Sequence, residues 1–323
     1  MLSGSRMMCA AFMGGVLLVG CAANGTGSPA VSSAASNARA AHSWMLPEAT
    51  TDNLLYVSDL GSANLMVYSY YPNGLKFVGE IGVNPVAWGE CVDANQNIWV
   101  TAGAAYSSFV LYRYPHGATT PDAVLSDPAG APYGCAVDPH SGNLAVAATS
   151  EGGKSLPLAV YKKAAGRATL YEYPFLYARY LTYDGKGNLF VVGEDNDDSL
   201  LVVELPRGGK NLVPITISQR FDATGGIAWD GKYLAIADAG AATIYRFKVT
   251  GSTATEVGSL PVRGADTIDQ LTVDGNRVIV PSNLTHQAGA VSIYRYPAGG
   301  NRLRTLRNFS QPYAAVVSRA PKS

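Results

Sequence analysis

The chain has 323 residues, of which 47% are hydrophobic and 15% are charged, so it can bury one large core or two modest ones. Lysine plus arginine and aspartate plus glutamate number 24 each, and no basic stretch stands out. A protein that binds nucleic acid normally carries a basic surface, so the composition excludes nucleic acid as a predicted partner.

The first 20 residues have the features of an export signal. A single positive charge at Arg6 precedes an apolar run over residues 7–19, which is shorter than the roughly 20 residues that a membrane-spanning helix needs. The run ends in LVGC at 18–21, which resembles the bacterial lipobox. The resemblance implies cleavage before Cys21 and attachment of lipid to this new N-terminal cysteine. An ordinary secretory signal that contains a cysteine is the alternative.

A lipid on Cys21 would anchor the protein in the bacterial cell envelope. Ala22 stands where lipoproteins of the inner membrane often carry Asp, so the resemblance favours the outer membrane, on its periplasmic or surface side. Residues 21–51 are rich in Ser, Ala, Gly and Asn, which predicts a flexible tether. Trp44, Met45 and Leu46 interrupt this composition, and we expect them to dock on the folded body.

A repeat with a period near 45 residues covers the rest of the chain. Five segments run from an apolar residue and an aspartate through a short turn into an apolar strand, as in AVDPHSGNLAV and TYDGKGNLFV. The aspartates, separated by 45, 46, 46 and 44 residues, are Asp93, Asp138, Asp184, Asp230 and Asp274. Each unit continues through a Tyr-rich strand and a more polar fourth strand. Four short strands per repeat of this length indicate a blade of a β-propeller.

The repeat predicts six blades. A further copy of the second and third strands lies at 52–74 without an inner strand before it, and QPYAAVVS at 311–318 matches that missing strand. A ring must close, because an open ring leaves two sheet edges exposed. The predicted fold is therefore all-β: a six-bladed propeller of four-stranded antiparallel blades over 52–318, closed by the C-terminal strand joining the N-terminal blade, with a tail at 319–323. At 44.5 residues per blade, no seventh blade is expected in this span.

The units resemble NHL-type repeats. APYGCAVDPHSGNLAVA matches that family's inner strand, Gly-Asn turn and second strand, and IADAGAATIYRF matches its Asp-containing turn between two strands. The resemblance covers 52–318 and implies architecture more than function. The fold is more distantly similar to the gluconolactonase and paraoxonase-like propellers, in which a Glu, Asn and Asp set at the channel mouth holds a divalent cation that activates a lactone.

One residue per blade is predicted at the mouth of the central channel, five positions before the repeated aspartate. These residues are Trp88, Tyr133, Arg179, Gly225, Asp269 and, from the closing strand, Tyr313. In ring order, three aromatic residues are neighbours and face a charged arc. Such a surface can stack on and hydrogen-bond a sugar or a peptide. The alternative is a set of ordinary rim residues in a protein with 19 tyrosines.

Glu90 breaks the pattern of its unit. Three positions before the aspartate, the other units and the closing strand carry Cys135, Leu181, Ile227, Leu271 and Ala315. A carboxylate in such a slot costs several kcal/mol unless it is paired, hydrogen-bonded, metal-bound or protonated. Glu90 is therefore predicted either to act at the site or to be a structural carboxylate paired with a neighbour such as Arg179.

Oxygen ligands that suit Ca²⁺ or Mg²⁺ occur in the turns after the second strands. They are Asp59, the run EDNDD at 194–198, Asp238 and Asn283. The resemblance to the lactonase-type propellers makes Glu90, Asp269 and Asn283 a candidate metal set, although they cannot be placed on that family's motif residue by residue. Solvated acidic turns are the alternative, so no cofactor is expected and Ca²⁺ is kept as the alternative.

Cys91 and Cys135 lie on the inner strands of consecutive blades. They precede their aspartates by two and three positions, so they point to opposite faces of their respective blades. The pair either meets at the shared interface or points apart, and both a disulfide and two buried reduced thiols remain open.

The sequence favours a lipid-anchored, monomeric propeller of the cell envelope that acts as a binding or scaffold module. Its partner at the channel mouth would be an envelope protein, a glycan or a small molecule, and its membrane contact would be the lipid on Cys21. The alternative is a divalent-metal-dependent hydrolase of the lactonase type at the same mouth. No nucleophile elbow, HExxH or Walker-type motif occurs in the sequence, so an enzyme is the less favoured class.

Overall fold

The computed structural model describes residues 42–72, 74–103, 109–127, 131–149, 158–172, 175–195, 197–283 and 288–321. The predicted signal peptide, Cys21 and most of the predicted tether lie outside these ranges. Within the described ranges, no helix is long and apolar enough to cross a membrane. The helical segments found there are two short 3₁₀ turns, Pro47–Thr50 and Lys162–Ala164.

Six sheets follow one another along the chain, and each is one blade. From the inner strand outward, blade 1 consists of Pro312–Ser318, Leu54–Asp59, Asn64–Ser69 and Phe77–Gly82, and blade 2 of Ala87–Val92, Ile98–Gly103, Phe109–Tyr114 and Ala123–Asp127. Blade 3 consists of Ala131–Val137, Leu144–Thr149, Leu158–Tyr161 and Thr169–Tyr171, and blade 4 of Tyr177–Tyr183, Leu189–Glu194, Leu200–Leu205 and Val213–Pro214. Blade 5 consists of Thr224–Trp229, Leu234–Asp238, Thr243–Thr250 and Thr253–Pro261, with Thr216–Ile217 added in parallel at its outer edge. Blade 6 consists of Thr272–Asp274, Arg277–Ser282, Gly289–Arg295 and Arg304–Phe309.

The C-terminal strand closes the ring, which confirms the predicted six-bladed architecture. Pro312–Ser318 pairs antiparallel with Leu54–Asp59, and inner strands of successive blades contact each other all the way round. The Ser58 hydroxyl accepts a hydrogen bond from the Ala314 backbone N–H at 3.0 Å and donates to the Trp88 carbonyl at 2.6 Å. The closing strand is therefore tied both to its own blade and, through Ser58, to blade 2.

Residues before the predicted propeller boundary also join the folded body. Trp44–Met45 pairs antiparallel with the outer strand of blade 1, and the Trp44 indole N–H donates to Glu80 Oε1 at 3.1 Å. The expected docking of Trp44, Met45 and Leu46 thus takes the form of a fifth strand that covers a sheet edge. The strand Trp44–Met45 and the 3₁₀ turn Pro47–Thr50 thus lie within the predicted tether, ahead of the predicted start of the propeller at residue 52.

Four of the five repeated aspartates build the turn that follows the inner strand of their blade. Asp93 Oδ1 accepts backbone hydrogen bonds from Asn95 and Asn97 at 2.8 and 3.0 Å. The same oxygen position serves the equivalent turns at Asp138, Asp184 and Asp230. An Asp side chain that bonds the backbone two residues on stabilises such a turn, so the regular spacing of these residues has a structural cause.

The core is divided among apolar clusters between neighbouring blades. Cys91 and Cys135 lie in the cluster between blades 2 and 3 and form a disulfide, with their Cα atoms 5.6 Å apart. The sequence left open a disulfide or two reduced thiols, and the structure contains the disulfide. The bond joins the inner strands of two blades across 44 residues of sequence.

Candidate functional site

Five of the inner strands lose their regular pairing at the predicted mouth position. In blade 4, Ala178 pairs with Gly193 and Tyr180 with Val192, which leaves Arg179 in a bulge. The corresponding irregularities of blades 1, 2, 3 and 5 fall at Tyr313, Trp88-Gly89, Tyr133-Gly134 and Gly225-Gly226. A bulge re-aims its side chain, which accounts for the way these residues meet at the channel axis.

Four aromatic rings meet at this end of the channel. The ring centroids of Trp88, Tyr133 and Tyr313 form a triangle with sides of 5.4, 5.5 and 6.0 Å. Tyr180 lies 5.9 Å from Tyr313 and reaches it from blade 4, which stands opposite blade 1 in a six-membered ring. We call these four residues the aromatic plug, because together they fill the predicted mouth rather than line an open hole.

Two residues of this region, Tyr180 and Gln270, were not among those predicted from the sequence. Both occupy the slot four positions before the repeated aspartate, where three other blades carry Gly and the closing strand carries Ala. The space there is restricted, because a Cβ on Gly89 would lie 2.1 Å from the Tyr133 carbonyl oxygen. Two large side chains in an otherwise small-residue slot were the available signal. Gln270 reaches across to blade 2, where its amide bonds both the N–H and the C=O of Glu90.

Arg179 belongs to the same cluster. Its guanidinium forms a salt bridge with Glu194 Oε2 at 2.9 Å and lies over the rings of Tyr133 and Tyr177 at 5.6 and 5.4 Å. The pairing with Glu90 that the sequence offered as an alternative is therefore not formed. The planar guanidinium of Arg179 can stack on both aromatic faces, so cation–π attraction and the salt bridge together hold it in place.

Asp269 completes the polar side of the cluster. Its Oδ1 accepts a hydrogen bond from the Tyr180 hydroxyl at 3.1 Å, and its Oδ2 accepts one from Asn283 Nδ2 at 2.8 Å. Burial raises the pKa of this carboxyl to about 6, against the opposing effect of the Tyr180 hydrogen bond. Burial also raises the pKa of Tyr180 and Tyr313 well above the usual value, so both hydroxyls stay protonated.

Several buried polar atoms of the cluster have no hydrogen-bond partner among the residues that the structure describes. Among the described residues, seven buried side-chain nitrogen or oxygen atoms lack a hydrogen bond, and three of them are Arg179 Nε, Asn283 Oδ1 and the Tyr313 hydroxyl. The Tyr313 hydroxyl approaches Tyr180 without completing hydrogen-bond geometry. Buried polar groups are nearly always satisfied, so three such atoms at one place indicate a site that takes up a polar partner.

Glu90 lies apart from this cluster of polar atoms. Its side chain is fully buried, and neither carboxyl oxygen has a hydrogen-bond partner in the described part of the chain. Burial raises the pKa of Glu90 well above its usual value, against the opposing effect of the Ser58 backbone. The carboxyl therefore interacts with groups of blade 1, Ser58 and Tyr56, rather than with Asp269.

The candidate metal set is split by this arrangement. Asp269 and Asn283 are in direct contact, but the carboxyl of Glu90 shares no partner with either. Two side chains, with both Asp269 oxygens already hydrogen-bonded, do not fit a Ca²⁺ ion that takes six to eight oxygen ligands. Across the described residues, no three His, Cys, Asp or Glu side chains are spaced to hold a metal ion.

The acidic side chains in the turns after the second strands accept hydrogen bonds from backbone N–H groups. Asp238 Oδ1 accepts hydrogen bonds from the N–H groups of Ala223, Gly240 and Ala241. Asp59 binds the N–H groups of Ser310 and Gln311 in the corresponding loop of blade 1. In the run at 194–198, Asn196 lies outside the described residues. These carboxylates position the loops that surround the mouth.

Below the plug, the channel continues as a cavity of about 250 Å³ lined by the inner strands of all six blades. Its walls include Val92, Val137, Trp229 and Val273, which lie near the far ends of their strands. Glu90, which was also predicted at the mouth, and Gln270 line this cavity, whereas the four rings of the aromatic plug do not, so the plug and the cavity are neighbouring features of one channel.

Titration of Asp269 is expected to report directly on the plug. Carbon-13 NMR of the carboxyl should show a midpoint at about 6 instead of the usual 3.8. Because the Tyr180 hydroxyl stabilises the charged form, Tyr180→Phe should move the midpoint higher, whereas Tyr245→Phe in blade 5 should leave it unchanged. A midpoint near the usual value in the unchanged protein would mean that water reaches this carboxyl freely.

No protein-family model matches the chain, and no curated protein matches it. Solved structures do match. A chain of the crystal structure of a nidogen/laminin complex is 13% identical with a TM-score of 0.66, over 82% of this chain and 98% of that one. TolB from Acinetobacter baumannii is 13% identical with a TM-score of 0.58, over 84% and 68% of the two chains. A protein of unknown function from Bacteroides caccae is 12% identical with a TM-score of 0.60, over 83% and 100%. Similarity at this level shows the propeller fold that this chain shares with them.

Proposed function

We propose that this propeller is a binding or scaffold module whose contact surface is the mouth of the channel, at the aromatic plug. The observation that carries the proposal is the combination found there: four aromatic rings in contact, the guanidinium of Arg179, and three buried polar atoms without partners. Aromatic faces with a few convergent polar groups are what a sugar or a peptide side chain needs for stacking and hydrogen bonding.

The proposal includes the membrane attachment and the cellular location that were predicted from the sequence. Cys21 would carry the lipid, residues 22–43 would form the tether, and the body would stand in the bacterial cell envelope at the outer membrane. The repeats would then be NHL-like units used for binding an envelope protein, a glycan or a small molecule. The hydrolase alternative would need Glu90, Asp269 and Asn283 to bind one cation; Asp269 and Asn283 are hydrogen-bonded to each other, and no hydrogen bond joins the Glu90 carboxyl to them within the described residues, so the binding module is the function proposed here.

Calorimetric titration with short peptides and with neutral and acidic oligosaccharides tests the proposal. We expect at least one of these probes to bind saturably and Arg179→Ala to weaken its binding by about tenfold, because a desolvated charged hydrogen bond is lost. Arg113→Ala is the matched control, since Arg113 is also paired with an acid, Asp122, and lies over an aromatic ring, Trp99, but belongs to the outer part of blade 2.

The location of binding can be read from fluorescence. Trp88 is the tryptophan of the plug, so a probe that stacks there should change the emission, and the change should vanish in Trp88→Phe. Binding that is equally strong in Arg179→Ala and Arg113→Ala and leaves Trp88 emission unchanged would contradict a contact surface at the mouth.

A further inference from the structure

The cleft between blades 6 and 1, on the face opposite the plug, has the features of a second site. The inner strand of blade 6 ends at Asp274 on that face, and the turn after it lines the cleft. Two adjoining cavities of about 510 and 450 Å³ share Tyr71, Asn276 and Arg277. The second cavity is also lined by Arg295 and Arg304. We call the two together the basic groove.

Positive charge dominates the basic groove, because Asp274, the acidic residue among its described lining residues, is paired with Arg319. After Asp274 the chain has no Asp or Glu, although it carries Lys322 and six arginines. The charges are spread over 49 residues, so no basic stretch stands out along the sequence. The fold gathers three of them, Arg277, Arg295 and Arg304, in one groove of a protein whose formal net charge is zero.

These three arginines have no acidic partner in the described part of the chain. Within the described residues, none of them forms a salt bridge, whereas Arg319 at the edge of the groove is paired with Asp274. The Arg277 guanidinium lies 4.2 Å from the centre of the Tyr71 ring, a stack that orients it and leaves its N–H edge available to a ligand. Three unpaired positive charges side by side repel one another, and a multivalent anion removes that repulsion.

We propose that the basic groove binds an anion that carries two or more phosphate groups. All three cations are arginines, whose planar fork matches phosphate oxygens in a bidentate manner. Each cavity is large enough for an organic ligand, since such pockets measure about 300–1,000 Å³. Arg277 lines both cavities, whereas Arg295 and Arg304 line only the second one. A single phosphate would therefore contact only some of the three arginines, and a ligand with two or more phosphates can contact all of them. The phosphates could belong to a soluble compound or to lipid headgroups, and the experiment separates these sources.

Calorimetric titration with tripolyphosphate is the test. We expect saturable binding that weakens about tenfold in Arg277→Ala and in Arg295→Ala, as for loss of a charge-assisted contact. Arg207→Ala is the control. Arg207 is an exposed arginine in the loop between the third and fourth strands of blade 4, and Arg295 and Arg304 lie at the two ends of the same loop in blade 6. Arg277→Lys keeps the charge and should lose part of the affinity. Raising the salt concentration from about 0.01 to about 0.15 M shortens the screening length from roughly 30 to roughly 8 Å and should weaken binding further.

Two further probes decide the class and source of the anion. A tetracarboxylate, whose charge at neutral pH is close to that of tripolyphosphate, should bind more weakly than tripolyphosphate. Sedimentation with phosphatidylglycerol vesicles that depends on Arg277 and Arg295 would assign the phosphates to lipid, and tripolyphosphate binding without sedimentation would assign them to a soluble ligand. The proposal is overturned by equal binding of the tetracarboxylate, by an equal loss in Arg207→Ala, or by no binding of tripolyphosphate and vesicles in a protein that melts normally.

Discussion

Deleting residues 311–323 is expected to unfold the propeller or to lower its melting temperature drastically. The deletion removes the inner strand of blade 1, with four consecutive buried residues from Tyr313 to Val316 and the entire pairing with Leu54–Asp59. It also exposes two sheet edges and removes a ring of the plug. Domains are stable by only about 5–15 kcal/mol, so the loss of a fully buried strand is comparable to the whole free energy of unfolding.

The control for this deletion is removal of residues 321–323 alone. Arg319 and Ala320 are kept in the control because Arg319 pairs with Asp274 and the Ala320 N–H donates to Asn53 Oδ1 at 3.0 Å. Thermal melting followed by circular dichroism should show a normal transition for the control. An equal melting temperature in the longer deletion would contradict ring closure by this strand.

Hydrogen exchange on the unchanged protein gives a second measurement, in case the longer deletion cannot be purified. If Pro312–Ser318 closes the ring, its amides and those of Leu54–Asp59 should exchange only through global unfolding, at the same rate limit as the inner strand of blade 2. Fast exchange confined to the C-terminal strand would mean that the ring opens without unfolding.

Replacing Glu90 with leucine is expected to stabilise the protein at neutral pH by on the order of 2 kcal/mol, because a buried and unsatisfied polar group is replaced by an apolar one. Leucine is the residue that blades 4 and 6 carry in the same slot, Leu181 and Leu271. Chemical denaturation of both proteins measures the difference. Glu256→Gln, at an exposed position of blade 5, is the control and should change the free energy of unfolding little.

The pH dependence separates the ionisation of Glu90 from its packing. The folded-state pKa is raised above the ordinary 4.5, so the native state holds a proton that the unfolded state releases, and stability is lost as pH rises from 4.5 through the raised value. Glu90→Gln cannot ionise, so the stability gap between Glu90→Gln and the unchanged protein should grow over that window. A gap that is constant with pH would mean that the Glu90 carboxyl is hydrated or paired in solution.

The architecture was predictable because its cause repeats along the sequence. Four of the five aspartates that set the period make the same turn, and the closing strand was recognisable because it keeps the Pro, Tyr and Val of an inner strand without the turn after it. The sequence predicted that Trp44 docks on the folded body but not that it forms a strand, because a strand of two residues is too short to show an alternating pattern. The pairing of Cys91 with Cys135 depended on the angle between two blades, which a strand pattern does not specify.

The site was predictable in part. The slot of Trp88, Tyr133 and Tyr313 could be counted from the repeat, and these residues do meet. The position of a residue in the repeat does not predict the bulge in its inner strand. The bulges direct the aromatic rings towards the channel axis, where they contact one another. Arg179 pairs with Glu194 of its own blade instead of Glu90, because adjacent antiparallel strands bring those two residues together. The basic groove was invisible along the sequence, since its arginines come from three separate segments.

The most direct test of binding at the mouth is a crystal structure of the protein with the tightest peptide or oligosaccharide probe. We predict that the probe stacks on Trp88 or Tyr133 and places polar atoms about 2.7–3.2 Å from Arg179 Nε, Asn283 Oδ1 or the Tyr313 hydroxyl. The same probe bound elsewhere, with the four rings of the aromatic plug unmoved and those three atoms still unpartnered, would contradict the proposed contact surface.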